Sequence, residues 1–129
     1  MRGKYGAIRT KTSDGIVHDS RREADRWCEL KMLERAGKIQ DLQRQVPFEL
    51  VPAQHEEYTT GEVYVRGEKK GQIKTRRRCV EQSVVYVADF VYYEGGKKIV
   101  EDAKGKRTKD YIIKRKLMLW CYGIRVREV

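Results

Sequence analysis

The sequence predicts an α/β fold: a mixed β-sheet flanked by a helix near the N-terminus and by a second helix that crosses over between C-terminal strands. Three features carry that expectation: a capped helix with an apolar stripe, a Gly95-Gly96 turn between two apolar strands, and a strand–helix–strand run at the end of the chain. Residues 1–17 are basic and without periodicity, which fits either a flexible arm that follows a phosphate backbone or a plain disordered tail. Ser20 is an N-cap with Glu23 three residues on. Trp27, Leu30, Leu33 and Ala36 supply the apolar stripe, and Gly37 closes the helix. Residues 39–42 and 46–51 read as short strands, the second alternating Val46, Phe48 and Leu50, with Pro47 favouring a sheet edge or a bulge. Across 52–83 the chain turns polar and basic, as a hairpin or excursion away from the sheet does. Strands over 84–93 and 97–104 flank the Gly-Gly turn. Thr108 caps a second helix that runs to Tyr122, with Ile113, Leu117, Trp120 and Cys121 facing inward and Gly123 ending it. Residues 124–129 form a last strand, expected parallel to the one holding Asp102 because a helix joins them.

At 129 residues the chain is expected to be one domain spanning 1–129, able to bury a single core. Its formal charge of +10 coexists with 19 acidic residues, so the basic excess sits on a mixed surface and points to a polyanion, nucleic acid first. No long apolar run or basic amphipathic anchor stands out, and Met1-Arg2-Gly3-Lys4 lacks an apolar signal core. The expectation is therefore a soluble, cytoplasmic protein with no membrane partner. Cys28, Cys79 and Cys121 are scattered and free of CxxC spacing, which suits reduced thiols and not a zinc site or a disulfide framework.

The chemistry concentrates around the Gly-Gly turn. A two-residue loop pairs Glu94 with Lys97 and, counting back, Asp89 with Asp102, so two carboxylates stand about 4.5–5.5 Å apart at Cβ. Like charges there destabilise a sheet unless a cation lies between them. Asp89 also interrupts the apolar run Val84, Val85, Tyr86, Val87, Ala88, Phe90, Val91, where an ionised carboxylate is costly unless compensated. The two-residue period of a strand puts Asp102 and Lys104 on one face with Val100 and sends Glu101 to the other. Glu23 shares a helical face with Trp27 and Leu30, so it points toward the core.

An acid on the first helix, an acid in one strand and acid-x-Lys on the next resembles the PD-(D/E)XK nuclease superfamily, through Glu23, Asp89 and Asp102-Ala103-Lys104. The strings His18-Asp19-Ser20-Arg21-Arg22-Glu23-Ala24, Val87-Ala88-Asp89-Phe90-Val91 and Val100-Glu101-Asp102-Ala103-Lys104-Gly105, with Tyr122-Gly123-Ile124, are similar to small phage-encoded nucleases related to Holliday-junction resolvases. Ala88 stands where the superfamily's leading proline would be. The resemblance covers most of the chain outside 52–83. It implies a restriction-endonuclease-like core, and Mg²⁺- or Mn²⁺-dependent hydrolysis of phosphodiester bonds in branched, junction or duplex DNA during phage recombination or processing. It implies Asp89 and Asp102 as metal ligands, with the Ala103 carbonyl as a further candidate. Lys104 would orient a water or meet the developing negative charge. Glu23 would bind metal directly, hold a metal-bound water or serve a second metal. Symmetric cutting of a four-way junction calls for two active sites, hence a homodimer.

Other readings stand beside these. Ser20-x-x-Glu23 is itself a capping box, Asp89 fits a structural role accepting backbone N–H bonds or pairing with an Arg, and Asp102 with Lys104 fits a cross-strand ion pair. A catalytically inactive DNA-binding protein of the same fold, and a nuclease acting on RNA or single strands, both remain open. Lys106, Arg107, Lys109, Lys114 and Arg115 follow the acid-x-Lys strand and are candidate backbone contacts or a solvated face; Arg76, Arg77 and Arg78 are candidates on the 52–83 excursion. His18 and His55 lack metal-ligand spacing and receive no role.

Overall fold

The computed structural model of the protein describes residues 7–129. Its elements in chain order are β1 (Thr10–Lys11), β2 (Val17–His18), α1 (Arg21–Arg35), β3 (Gln40–Val51), β4 (Gln54–Val63), β5 (Ile73–Glu81), β6 (Val84–Glu94), β7 (Lys97–Asp102), α2 (Lys109–Tyr122) and β8 (Arg127–Glu128). The fold divides into two compact units. One comprises the chain up to Leu50 together with Val85–Val129, the other Val51–Val84.

The larger unit is built on a four-stranded sheet of order β3-β6-β7-β8. The β6–β7 ladder is antiparallel and the β7–β8 ladder parallel, so the sheet is mixed and the expected direction of the last strand is found. Gly95 and Gly96 both take positive φ, 59° and 79°, which a two-residue turn matched to sheet twist requires and which glycine adopts without strain. The turn fixes the register at Glu94 opposite Lys97 and carries it to Phe90 opposite Glu101, one step short of Asp89 and Asp102. α1 begins where Ser20 Oγ accepts the Glu23 amide, and it buries Glu23, Ala24, Trp27 and Leu30. Trp27 and Leu30 join Ile39, Phe90, Tyr92 and Ile99 in one core, with Trp27 stacked on Phe90 at 6.0 Å. The opposite face carries a second core, in which Tyr111 and Met118 of α2 pack on Phe48, Leu50, Tyr86, Val91, Val100 and Val126. Each aliphatic or aromatic side chain so buried contributes about 1.5–3 kcal/mol.

Several sequence expectations need correction. The two strands expected over 39–42 and 46–51 are a single strand, β3, bent by left-handed backbone at Asp41 (φ 54°) and Gln45 (φ 53°). Such a conformation costs a non-glycine residue about 1–2 kcal/mol. β3 is an edge strand, which accommodates Pro47. The inner side of α2 is Tyr111, Ile112, Leu117 and Met118, whereas Ile113 and Trp120 are 57% and 87% exposed and Cys121 is also exposed. The helix carries two apolar stripes, and the one whose tyrosine reaches Tyr86 faces in. The final strand is only Arg127–Glu128, although Ile124 and Val126 pack in the core as a strand there would. β7 ends at Asp102, so Ala103 and Lys104 lie just beyond it. Of the expected basic arm, residues 1–6 lie outside the described residues. From Thr10 the chain is paired, with Thr10 opposite His18 and Lys11 opposite Val17.

The smaller unit is the hairpin anticipated over 52–83: β4 and β5 form their own antiparallel two-stranded sheet. Glu56 faces Arg78 and Tyr58 faces Arg76 across the ladder, with the Arg78 guanidinium 4.7 Å from the Tyr58 ring centre. These cross-strand charge and cation–π pairs stand in for the apolar face a two-stranded ribbon lacks.

Candidate functional site

Glu23 is delivered from the first turn of α1, Asp89 from β6, and Asp102 and Lys104 from the end of β7. Tyr86 and Ala88 belong to the α2-side core, yet Phe90 and Tyr92 belong to the α1-side core, so the alternation of β6 breaks once at Asp89. That break brings Asp89 to the end of the β6–β7 ladder, where its Oδ2 accepts the Ala103 amide at 2.9 Å. Asp102 is 2% exposed; its Oδ1 lies 2.9 Å from Lys104 Nζ, and its Oδ2 accepts the Tyr86 hydroxyl at 2.5 Å. The Lys104 ammonium also lies 4.3 Å from the Tyr111 ring centre. Glu23, although it completes the capping sequence, turns its carboxylate inward, where Oε1 accepts from Gln45 Nε2 at 3.0 Å. The same amide nitrogen is 3.5 Å from Asp89 Oδ1. His18 Nδ1 stands 3.7 Å from Glu23 Oε1, with the imidazole fully buried.

Burial and the acids' mutual repulsion oppose ionisation within the cluster. Burial pushes the Asp89 carboxyl up to about 8, and the charges of Asp102 and Glu23 push in the same direction against the Ala103 amide. Glu23 is also raised, by burial first and then by Asp19, with Arg44 and Gln45 opposing. Tyr86 is raised by burial and by the Asp102 charge, and so serves as a proton-bearing donor. Burial and Arg44 lower His18, so it stays neutral. An open cavity of about 490 Å³ lies over the cluster, lined by Ser20, Arg22, Glu23, Asp89, Lys104 and Lys106 among others. A lining that mixes acids, Glu23 and Asp89 among them, with the cations Arg22, Lys104 and Lys106 suits a phosphate bridged to a cation.

The donor set fits a hard divalent cation: the oxygens are carboxylates, and their mutual repulsion is what a bound cation relieves. Among the described residues, no three His, Cys, Asp or Glu side chains are grouped closely enough to hold a metal ion as they stand. Occupation would require Asp89 and Asp102 to exchange some of their present hydrogen-bond and ion-pair partners for the cation.

The structure thus gathers Glu23, Asp89, Asp102 and Lys104, as the sequence pattern anticipated. The pleat argument that set Glu101 aside also holds, since Glu101 is buried on the α1 side, bonded to Arg26 Nε and Nη2 at 2.8 and 2.7 Å. Of the basic candidates, Lys106 lines the cavity. Arg107 and Arg115 instead reach Glu128, at 2.7 and 3.4 Å. Lys109 and Lys114 lie in the first half of α2. Arg76, Arg77 and Arg78 all lie on β5 of the separate hairpin, where Arg78 pairs with Glu56 at 2.6 Å and Arg77 meets His55. Gln45, His18, Tyr86 and Arg22 are the neighbours that sequence reasoning missed. In the sequence His18 receives no role, and Tyr86 counts only as part of the apolar run that Asp89 interrupts.

No helix among the described residues is long and apolar enough to cross a membrane. No curated protein and no solved structure matches the chain. Residues 2–127 match the family described as "Protein of unknown function (DUF1064)", and over that span, nearly the whole chain, the protein belongs to this family.

Proposed function

We propose that the protein is a Mg²⁺- or Mn²⁺-dependent endonuclease with a restriction-endonuclease-like core, acting on branched or duplex DNA. The observation that carries this reading is the convergence of Glu23, Asp89, Asp102 and Lys104, from α1, β6 and the β7 end, beneath a cavity walled by Arg22 and Lys106. Asp89 and Asp102 would hold the cation, with Glu23 engaging it directly or through water. When bound, the metal supplies a more acidic water and a counter-charge for the phosphate. Asp102 holds the Lys104 ammonium at the edge of the cavity, where it binds a phosphate oxygen and meets charge that develops there. The Tyr111 ring beneath the ammonium restrains its swing. Tyr86 fixes the second oxygen of Asp102, so that carboxylate keeps one orientation. Arg22 and Lys106, which line the cavity, would hold the phosphate chain. A homodimer with two such sites matches the symmetric cutting of a junction, and phage recombination or DNA processing in a host cytoplasm is the setting implied by the family resemblance.

A second reading is favoured by one observation: no three ligand groups among the described residues stand ready for a metal. On that reading the protein binds DNA without cutting it. Incubating labelled junction, duplex and single-stranded DNA with the protein in Mg²⁺, Mn²⁺ or EDTA separates the two. Metal-dependent cuts in wild type that vanish in Asp89→Ala support the nuclease; binding without cutting in either metal supports the silent module.

A further inference from the structure

We propose that Gln45 is the positioning residue of the acid cluster: its amide, between Glu23 and Asp89, fixes where both carboxylates point and thereby sets the affinity for a divalent cation. The proposal rests on the metal-dependent reading above and adds to it a residue outside the acid-and-lysine set. The Gln45 Nε2 reaches Glu23 at 3.0 Å and Asp89 at 3.5 Å. A primary amide is neutral and carries two N–H donors, so it orients two carboxylates while leaving their charge available to a cation.

The backbone is bent to deliver that amide. Gln45 has φ 53°, a conformation that glycine, asparagine or aspartate would adopt more readily. Residues an even number apart in a regular strand share a face, yet Leu42 packs with the α1-side core and Val46 with the α2-side core. β3 therefore changes sides around Gln45, as β6 does at Asp89. Such a conformation persists when the surrounding structure holds it, and at Gln45 the bonds to Glu23 and Asp89 do so. Asp41, in the same strand with φ 54°, supplies a control for the backbone conformation, since among the described residues no hydrogen bond joins it to the cluster. The buried His18 Nδ1 approaches the same Glu23 oxygen, Oε1, but at 3.7 Å, so the Gln45 amide at 3.0 Å is the closer donor to it.

The test is calorimetric titration of Mn²⁺ into the full-length wild type, Gln45→Gly and Asp41→Gly. Glycine suits positive φ better than either native residue, so neither variant should lose its fold. Gln45→Gly is expected to weaken Mn²⁺ binding by about 10–100-fold, and Asp41→Gly to leave it within about twofold. Equal affinities in the two variants would overturn the positioning role. If the wild type itself takes no Mn²⁺, the metal reading is what fails, and Gln45 is judged without metal. Urea unfolding of wild type, Gln45→Gly, Glu23→Ala and the double variant should then reveal coupling of about tenfold in the unfolding constant, the size of a hydrogen bond to a charged group. Additive effects would overturn it there too.

Discussion

Glu101 and Asp102 are adjacent in β7 and both almost wholly removed from solvent, at 0% and 2% exposure, yet their charges are met differently on the two faces of the sheet. Glu101 is gripped by both donor arms of the Arg26 fork, approached by Arg127 at 3.9 Å and hydrogen-bonded by the Tyr92 hydroxyl. One acid there has two guanidinium groups. Asp102 has one ammonium, Lys104, and shares its end of the sheet with two further acids, Asp89 and Glu23. A buried charge that is fully paired is part of the architecture, and its loss is paid in stability. Where three acids share one end of the sheet, burial and their mutual repulsion oppose ionisation, and a bound cation would relieve both.

The largest expected effects break the second region only. Asp89→Ala and Asp102→Ala should reduce metal-dependent DNA cleavage to the EDTA background, and Lys104→Ala should lower it by about 10²–10³-fold, measured by gel assay on labelled substrate. Glu101→Ala should leave cleavage per folded molecule unchanged. Its effect belongs to the other column: with Arg26 left beside an uncompensated cavity, unfolding in urea should show a loss of about 3–5 kcal/mol. Cleavage that survives both aspartate changes, or a Glu101→Ala protein of wild-type stability, would erase the distinction between the two faces.

A smaller effect sharpens the comparison through pH. Asp89 ionises in the metal-free fold only near pH 8, against about 4 when unfolded, so the folded state holds its proton more firmly. The resulting stabilisation is fully present below the unfolded value and is lost as pH rises toward 8. Metal-free wild type should therefore lose stability between pH 5 and 8 relative to Asp89→Asn, and parallel curves for the two proteins would contradict the assignment. The smallest effect concerns the cavity walls. Each phosphate contact removed should shallow the slope of log affinity against log salt by about 0.9 on duplex DNA. Lys106→Ala is expected to do so because Lys106 lines the cavity, and Arg107→Ala is expected to do so less, because Arg107 does not line it and pairs with Glu128 at 2.7 Å.

What was legible in the sequence follows from how local its cause is. The Gly95-Gly96 turn sets the β6–β7 register through two residues, and a strand's period of two then assigns Asp102 and Glu101 to opposite faces without any tertiary information. Ser20 and Thr108 announce their helices in the same local way. Gln45 fell in the break expected between strands 39–42 and 46–51, and nothing local showed that the strand continues through it in a left-handed conformation that aims its amide at the acids. The inner face of α2 was misread in part: Leu117 packs inward as expected, but Ile113 and Trp120 lie on a stripe as apolar as the one carrying Tyr111 and Met118, and the choice is made by Tyr86 across the core. Arg107 and Arg115 looked free because their partner, Glu128, is 21 and 13 residues away.

The mutual repulsion of the three acids is tested most directly by thermal unfolding of wild type and Asp89→Asn at pH 8, each with and without saturating Mg²⁺. Without metal, Asp89→Asn should melt higher than wild type, because one member of a repelling cluster has been neutralised. With Mg²⁺ the order should invert, wild type rising by the binding energy, about 2.7 kcal/mol at a hundredfold excess over the dissociation constant, while Asp89→Asn scarcely moves. A wild-type melting temperature indifferent to both Mg²⁺ and Mn²⁺ would contradict a cation-accepting site among Glu23, Asp89 and Asp102.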